Sequence, residues 1–218
     1  MNIESSKSKG GTMSKLLHLD SSGRGSMSVT QPLTAYFAKK WKEANPQGEV
    51  LYRDLSESNL QFVNPAIVGA FYTPEDKQSQ EQKKVLKQSD DLLWELFEAD
   101  TYVFGVPMYN FSVPAVFKAY IDLIARAGKT FSYENGQPKG LLVDKKLVVI
   151  TASGGDYSSE PLKNYDFVEP YICAVFGFIG VTDTTFIKAH GSNPETIAAT
   201  SEKAISLVDQ FLHPVAAK

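Results

Sequence analysis

Three short stretches of the 218-residue chain gather residue types that could hold a small anionic or aromatic ligand: "SSGRGSMS" at 21–28, "PMYNF" at 107–111 and "ASGGD" at 152–156. In the first, Ser21, Ser22, Ser26 and Ser28 are interspersed with Gly23 and Gly25, just ahead of an amphipathic segment. Small residues let backbone amides close on an anion, hydroxyls add donors, and a helix N-terminus supplies the positive end of a dipole. The stretch reads either as a cradle for one phosphate or as a loop ending in a serine helix cap. It has neither the G-K-[ST] of a P-loop nor G-x-G-x-x-G, so neither a triphosphate nor a dinucleotide is specifically indicated. Arg24 could pair with a phosphate or lie in solvent.

The second stretch is unusually greasy for a turn. Met108, Tyr109 and Phe111 would pack a flat, partly apolar ring such as isoalloxazine, and Asn110 offers both donor and acceptor. Pro107 and Pro114 would stiffen the loop. The plainer reading is that Tyr109 and Phe111 cap the hydrophobic core. In the third stretch, Gly154 and Gly155 suit either close approach of a backbone to a ligand or a tight turn. Other chemistry finds little support. His18, His190 and His213 are scattered, and read as a half-buried strand residue and two surface residues. No H-x-x-x-H, C-x-x-C or G-x-S-x-G occurs, so no metal site and no side-chain nucleophile are expected.

The elements that must position these loops alternate. "KLLHLD", "EVLYRDL", "TYVFGV", "KLVVITA" and "TDTTFIKA" read as five strands. Between and after them lie five helical segments, with Leu33, Tyr36, Phe37 and Trp41 on one face of the first. A second helix, Ser79 to Ala99, has an apolar face of Val85, Leu86, Leu92, Leu93, Leu96 and Phe97. "NPAIVGAFYTPED" falls in a long polar connection. The third helix starts at Pro114 and runs toward Gly128, and "YICAVFGFIG" forms the fourth, ending at Gly180. "PETIAATSEKAISLVDQFL" closes the chain. This alternation predicts an α/β fold, a doubly wound five-stranded parallel sheet of order 2-1-3-4-5 with helices on both faces. Strands 1, 3 and 4 are then neighbours, and their three exit loops meet at the carboxyl edge where ligands bind. "YENGQPKG" (133–140) predicts a hairpin that overhangs this site.

Composition limits the partners. A net charge of -3 with no clustered Lys/Arg stripe leaves no footprint for nucleic acid or an anionic membrane. No apolar run approaches the ~20 residues of a membrane span, and "MNIESSKSKGGT" lacks a signal-peptide core. The single cysteine, Cys173, reads as a small core side chain in a reducing compartment, so a cytoplasmic location is expected. Residues 1–13 read as an unordered tail and 14–213 as one domain.

At its loops the chain resembles the FMN-dependent NADH azoreductases, also described as quinone reductases, of the flavodoxin-like superfamily. The resemblance rests on "SSGRGSMS", on "PMYNFSVPAVFKAYIDLIARAGKTFSYENGQPKGL" and on "VVITASGGDY", and spans about Ser14 to Leu212. It implies a homodimer with one FMN per subunit at the interface, and ping-pong transfer of two electrons from NADH (or NADPH) to the flavin, then to a quinone or azo compound. By matching motifs, Ser22, Ser26, Met27 and Ser28 would bind the phosphate side. Met108, Tyr109, Asn110 and Phe111 would border the isoalloxazine, with Ala152, Ser153, Gly154 and Gly155 at its other edge. Members often carry an arginine where Ser153 stands, so the resemblance carries contacts from loop amides there and none from that side chain. Tyr133, on the hairpin, is expected to contact the substrate. Phe111, Tyr133 and Phe176 are poor choices for a free surface, which favours a dimer. The alternatives are a flavodoxin-like electron carrier and a non-catalytic flavin-binding module.

Overall fold

A computed structural model describes residues 13–213; the tail expected over 1–13 lies, Met13 apart, outside them. Five strands, β1 (Lys15–Asp20), β2 (Glu49–Asp54), β3 (Thr101–Pro107), β6 (Lys146–Ser153) and β7 (Asp183–His190), form one parallel sheet in the order β2-β1-β3-β6-β7. Counted along the sheet alone, this is the predicted 2-1-3-4-5. β3 and β6 sit at its centre and are buried almost end to end, as strands covered on both faces must be.

Two cores flank the sheet. Helices α1 (Thr30–Ala44) and α6 (Pro194–Leu212) cover one face, packing Leu33, Phe37, Trp41, Ala204 and Val208 on Val103, Val148 and Ile187. Helices α3 (Gln80–Glu98), α4 (Ala115–Ile124) and α5 (Val168–Ile179) cover the other, where Leu92, Leu96, Phe117, Tyr120 and Phe176 surround Tyr102, Phe104 and Val149. α3 begins with a capping box: Ser79 accepts from the Gln82 amide and Gln82 reaches back to Ser79, as residue types at that spacing favour. α5 ends at Gly180 with φ of 110°, a left-handed C-cap that a side chain would strain.

Several expectations are corrected. Six α-helices are present among the described residues: the polar connection holds α2 (Pro65–Phe71), capped by Asn64, whose Oδ1 accepts from the amides of Ala66 and Ile67. Seven residues span only two turns, too few for a periodic signal. Cys173 is exposed on α5, not in the core. Phe176 is fully buried while Phe178 is exposed, so the surface aromatic on this helix lies two residues further on. Phe97 is also exposed, although Leu92, Leu93 and Leu96 beside it are buried.

The predicted hairpin is present as β4 (Phe131–Glu134) and β5 (Gln137–Gly140), joined by Asn135 and Gly136 at φ of 52° and 76°. Positive φ at both central residues is the geometry that Asn-Gly supplies in a type I′ turn. Arg126, in the motif that joins α4 to this hairpin, is buried with its guanidinium on Asp90 and donating to Ser89 Oγ at 2.9 Å. Its role is to clamp α4 onto α3.

Candidate functional site

The exit loops of β1, β3 and β6 converge at the carboxyl edge, as strand order requires. Their meeting point is fixed from below by Gly105 of β3. A Cβ there would lie 2.5 Å from Asp20 Oδ1 and 3.1 Å from Thr34 Cγ2. Glycine thus admits the buried Asp20 carboxylate, which accepts from Thr34 Oγ1 at 2.8 Å and ties the end of β1 to the first turns of α1. Ser21 anchors the same point, donating its amide (3.1 Å) and its hydroxyl (2.7 Å) to the Gly105 carbonyl.

Beyond that anchor the first loop runs through a single 3-10 turn, Gly25–Met27, into α1. Ser22 and Ser28 are buried, whereas Ser26 and Met27 are exposed. The Ser22 hydroxyl lies 3.4 Å from Tyr109 Oη, joining the first loop to the second. Ser28 Oγ accepts from the Gln31 amide at 3.2 Å, so the serine-cap reading holds for Ser28. Any anion at this turn would meet Ser22, Arg24, backbone amides and the end of α1; Ser26 would contribute its amide, whereas the Met27 amide is donated to the Arg24 carbonyl at 3.1 Å.

The second loop is a two-residue turn. Tyr109 and Ser112 exchange both backbone hydrogen bonds, at 2.9 and 3.1 Å, and the residues between them, Asn110 and Phe111, have φ of 48° and 72°. Asparagine accepts this conformation; a bulky aromatic adopts it at a cost of about 1–2 kcal/mol. The turn leaves Phe111 45% exposed, packed edgewise on Tyr157 and tilted on Tyr165 with centroids 6.2 and 5.5 Å away. Strain held so that an apolar ring faces open space fits a binding wall better than a core cap. The Phe111 carbonyl also accepts from the Phe167 amide at 3.1 Å, fastening this wall to the start of α5.

The third loop leaves β6 with Ser153 turned inward, donating its hydroxyl to the Gly155 carbonyl at 2.8 Å. A Cβ on Gly154 would meet nothing within 4 Å. Glycine is therefore not demanded there by the chain's own packing.

The cleft so formed is lined by Ser22, Arg24, Pro107, Met108, Tyr109, Ala152, Ser153 and Gly154. Of the predicted residues, Ser22, Met108, Tyr109, Ala152, Ser153 and Gly154, from three separate loops, are thus brought together, while Ser26, Met27, Ser28, Asn110, Phe111 and Gly155 do not line the cleft. His190, read from sequence as a surface residue, is the last residue of β7 and lines the same cleft. The strand-end rule that located the other loops could have found it. His18 is fully embedded, not half-buried, 3.3 Å from the Asp20 carboxylate. Tyr133 does not line the cleft. Its hairpin packs at the far end of α5, with Phe131 and Phe178 centroids 4.5 Å apart and the Leu142 amide donating to the Ile179 carbonyl. The helix of 12 residues is about 18 Å long. Among the described residues no cluster suited to a metal ion is present, and no helix is long and apolar enough to cross a membrane.

A family described by its flavodoxin-like fold matches residues 14–212. The chain is 47% identical over 199 residues to an FMN-dependent NADH:quinone oxidoreductase 1 of Trichormus variabilis, covering 89% of this chain and 95% of that protein. It is 44% identical over 182 residues to an FMN-dependent NADH:quinone oxidoreductase of Nostoc punctiforme, covering 83% and 89%. Among solved structures, an azoreductase from Bacillus anthracis superposes with a TM-score of 0.82 at 32% identity, over 91% of this chain and all of that one. With the cleft where a doubly wound sheet places its ligand and the likeness spanning the whole described domain, the chain belongs to the flavodoxin-like family of FMN-dependent NADH:quinone oxidoreductases and azoreductases.

Proposed function

We propose that this chain binds FMN in the cleft and passes two electrons from NADH through it to a quinone or azo compound. One observation carries the reading: Pro107, Met108 and Tyr109 at the end of β3, Ser22 and Arg24 of the serine loop, and Ala152, Ser153 and the open Gly154 share one cleft. The donor set fits FMN. Ser22, Arg24 and the Ser26 amide suit its phosphate, the Met27 and Ser28 amides being donated within the turn to the Arg24 and Gly25 carbonyls at 3.1 and 2.9 Å, and Met108, Tyr109, Asn110 and Phe111 suit one border of its ring. Ala152, Ser153, Gly154 and Gly155 suit the other, where open space beside Gly154 leaves room for close approach. When bound, FMN supplies the hydride and electron chemistry, and the chain supplies position and a water-poor wall.

The relatives are named for NADH; comparing NADH with NADPH as donor tests that preference in this chain. One cleft for donor and acceptor means that the oxidised nicotinamide leaves before the acceptor stacks, which is ping-pong transfer. Tyr133, 65% exposed and displaced from its own cleft, would reach an acceptor only as the residue of a second copy. The exposed apolar face of α5, with Cys173, Ala174 and Phe178, supports a homodimer that buries it. The exposed thiol of Cys173 supports a cytoplasmic, reducing setting.

The test is absorbance followed by turnover. The protein incubated with FMN and desalted is expected to be yellow and, beyond the one equivalent of NADH that reduces its FMN, to oxidise NADH in sustained turnover when a quinone is added. A colourless protein overturns the cofactor assignment; a yellow one without turnover overturns the enzyme in favour of a binding module.

A further inference from the structure

We propose that His190 is a redox-linked proton site: it takes up one proton from water when the cleft is reduced, and so offsets the negative charge that hydride brings. This rests on the FMN reading above. It begins with register. Ser153 of β6 pairs with His190 of β7, and the Met108 amide donates to the Ala152 carbonyl at 2.8 Å, so Met108, Ser153 and His190 form a row across three strand ends. Strands about 4.8 Å apart place His190 roughly 10 Å from the methionine end of that row. All three residues line both the cleft over the first loop and the adjoining cavity toward α5. His190 thus stands on the ridge between them.

Its surroundings need a proton. Charged groups reach these two cavities from every side: Arg24 from the first loop, Asp156 from the third, Asp166 and Glu169 from the start of α5, and Lys188 from β7 itself. Two cations therefore face three carboxylates. Lys188 is engaged by Asp166, at 3.4 Å, and by Glu169. Asp156 is the carboxylate left over. Its Oδ1 accepts from the Ser158 hydroxyl and amide at 2.6 and 2.9 Å, which holds its pKa below the ordinary carboxylate range, and its Oδ2 lies 4.0 Å from His190 Nε2. The neighbours are otherwise engaged: Ser153 is turned to Gly155, the Tyr157 ring packs edgewise on Phe111, and α6 contributes Thr200, bonded to the His190 main chain. Imidazole is the side chain whose charge changes near neutral pH.

The balance is simple. NADH delivers two electrons and one proton as hydride, which adds one negative charge to the oxidised site. A proton bound by His190 restores the charge. When the acceptor leaves as the two-electron, two-proton product, hydride supplies one of its protons and water the other, with His190 as the holding point.

The first measurement uses the wild-type FMN protein, mixed anaerobically with stoichiometric NADH in weakly buffered solution containing a pH-indicator dye. One proton taken up per FMN is expected; none overturns the proposal. The second is spectroscopic titration of the FMN midpoint potential between about pH 6 and 8. Each proton coupled to two-electron reduction makes the equilibrium tenfold dependent per pH unit, about 30 mV. The slope is expected to fall by that one-proton step in His190→Gln, and His190→Lys, a fixed cation, should show the reduced slope at a higher potential than His190→Gln. Equal slopes in wild type and a His190→Gln variant that retains FMN overturn the proposal, while leaving the FMN assignment intact. A wild-type protein that binds no FMN overturns both.

Discussion

Two glycines that line the same junction respond to alanine in opposite ways. At Gly105 the added methyl would sit 2.5 Å from Asp20 Oδ1 and 3.1 Å from Thr34 Cγ2, inside a close-packed layer between β3 and α1. Overpacking of this kind costs about 1–3 kcal/mol. For a domain of this size each kcal/mol lowers Tm by roughly 2–4 °C, so Gly105→Ala should melt about 2–12 °C below wild type. At Gly154 the methyl meets nothing within 4 Å and the residue's φ lies outside the left-handed region. Gly154→Ala should therefore raise apoprotein stability by about 0.4–1 kcal/mol through the unfolded chain's lost freedom. The open space it fills is where the ring of FMN would border the loop, so FMN affinity should fall tenfold or more, about 1.4 kcal/mol. Thermal melts of both apoproteins and quenching of FMN fluorescence on binding supply the readouts. If Gly154→Ala binds FMN as tightly as wild type, the third loop does not border the flavin. If it is destabilised as much as Gly105→Ala, the packing argument fails at its base.

Other consequences separate the roles of neighbouring residues. Ser28→Ala should cost about 0.5–2 kcal/mol of stability by chemical denaturation, since the hydroxyl caps α1. Ser22→Ala should instead weaken FMN binding, by about 1.5–3 kcal/mol if the hydroxyl bonds the phosphate, and equal Kd values in a titration would reject that bond. Tyr133→Ala should raise the acceptor KM while leaving FMN affinity unchanged; the reverse pattern would place Tyr133 in the cofactor site. Double-reciprocal plots of NADH oxidation at several acceptor concentrations should be parallel, and intersecting lines would replace a shared cleft with a ternary complex.

Strand and helix alternation made the fold legible, because strands covered on both faces carry unbroken apolar runs and leave little doubt about their number or direction. Once the sheet order followed, the meeting of 21–28, 107–111 and 152–156 needed only topology. Tertiary structure decided what periodicity leaves open. α5 is apolar nearly all round, so its sequence carries no phase, and only packing against β3 and β6 buried Phe176 and left Cys173 and Phe178 outside. α2 is too short to announce itself by period. The Ser28 hydroxyl has two chemically reasonable partners, and only helix placement shows that it caps Gln31. Phe111 reads as greasy from sequence, but its positive φ, which turns the ring outward, is imposed by the two backbone bonds between Tyr109 and Ser112. His190 and Asp156 lie 34 residues apart and face each other only because β6 and β7 pair in register to their last residues. Local composition sets which groups can act; long-range pairing sets which of them meet.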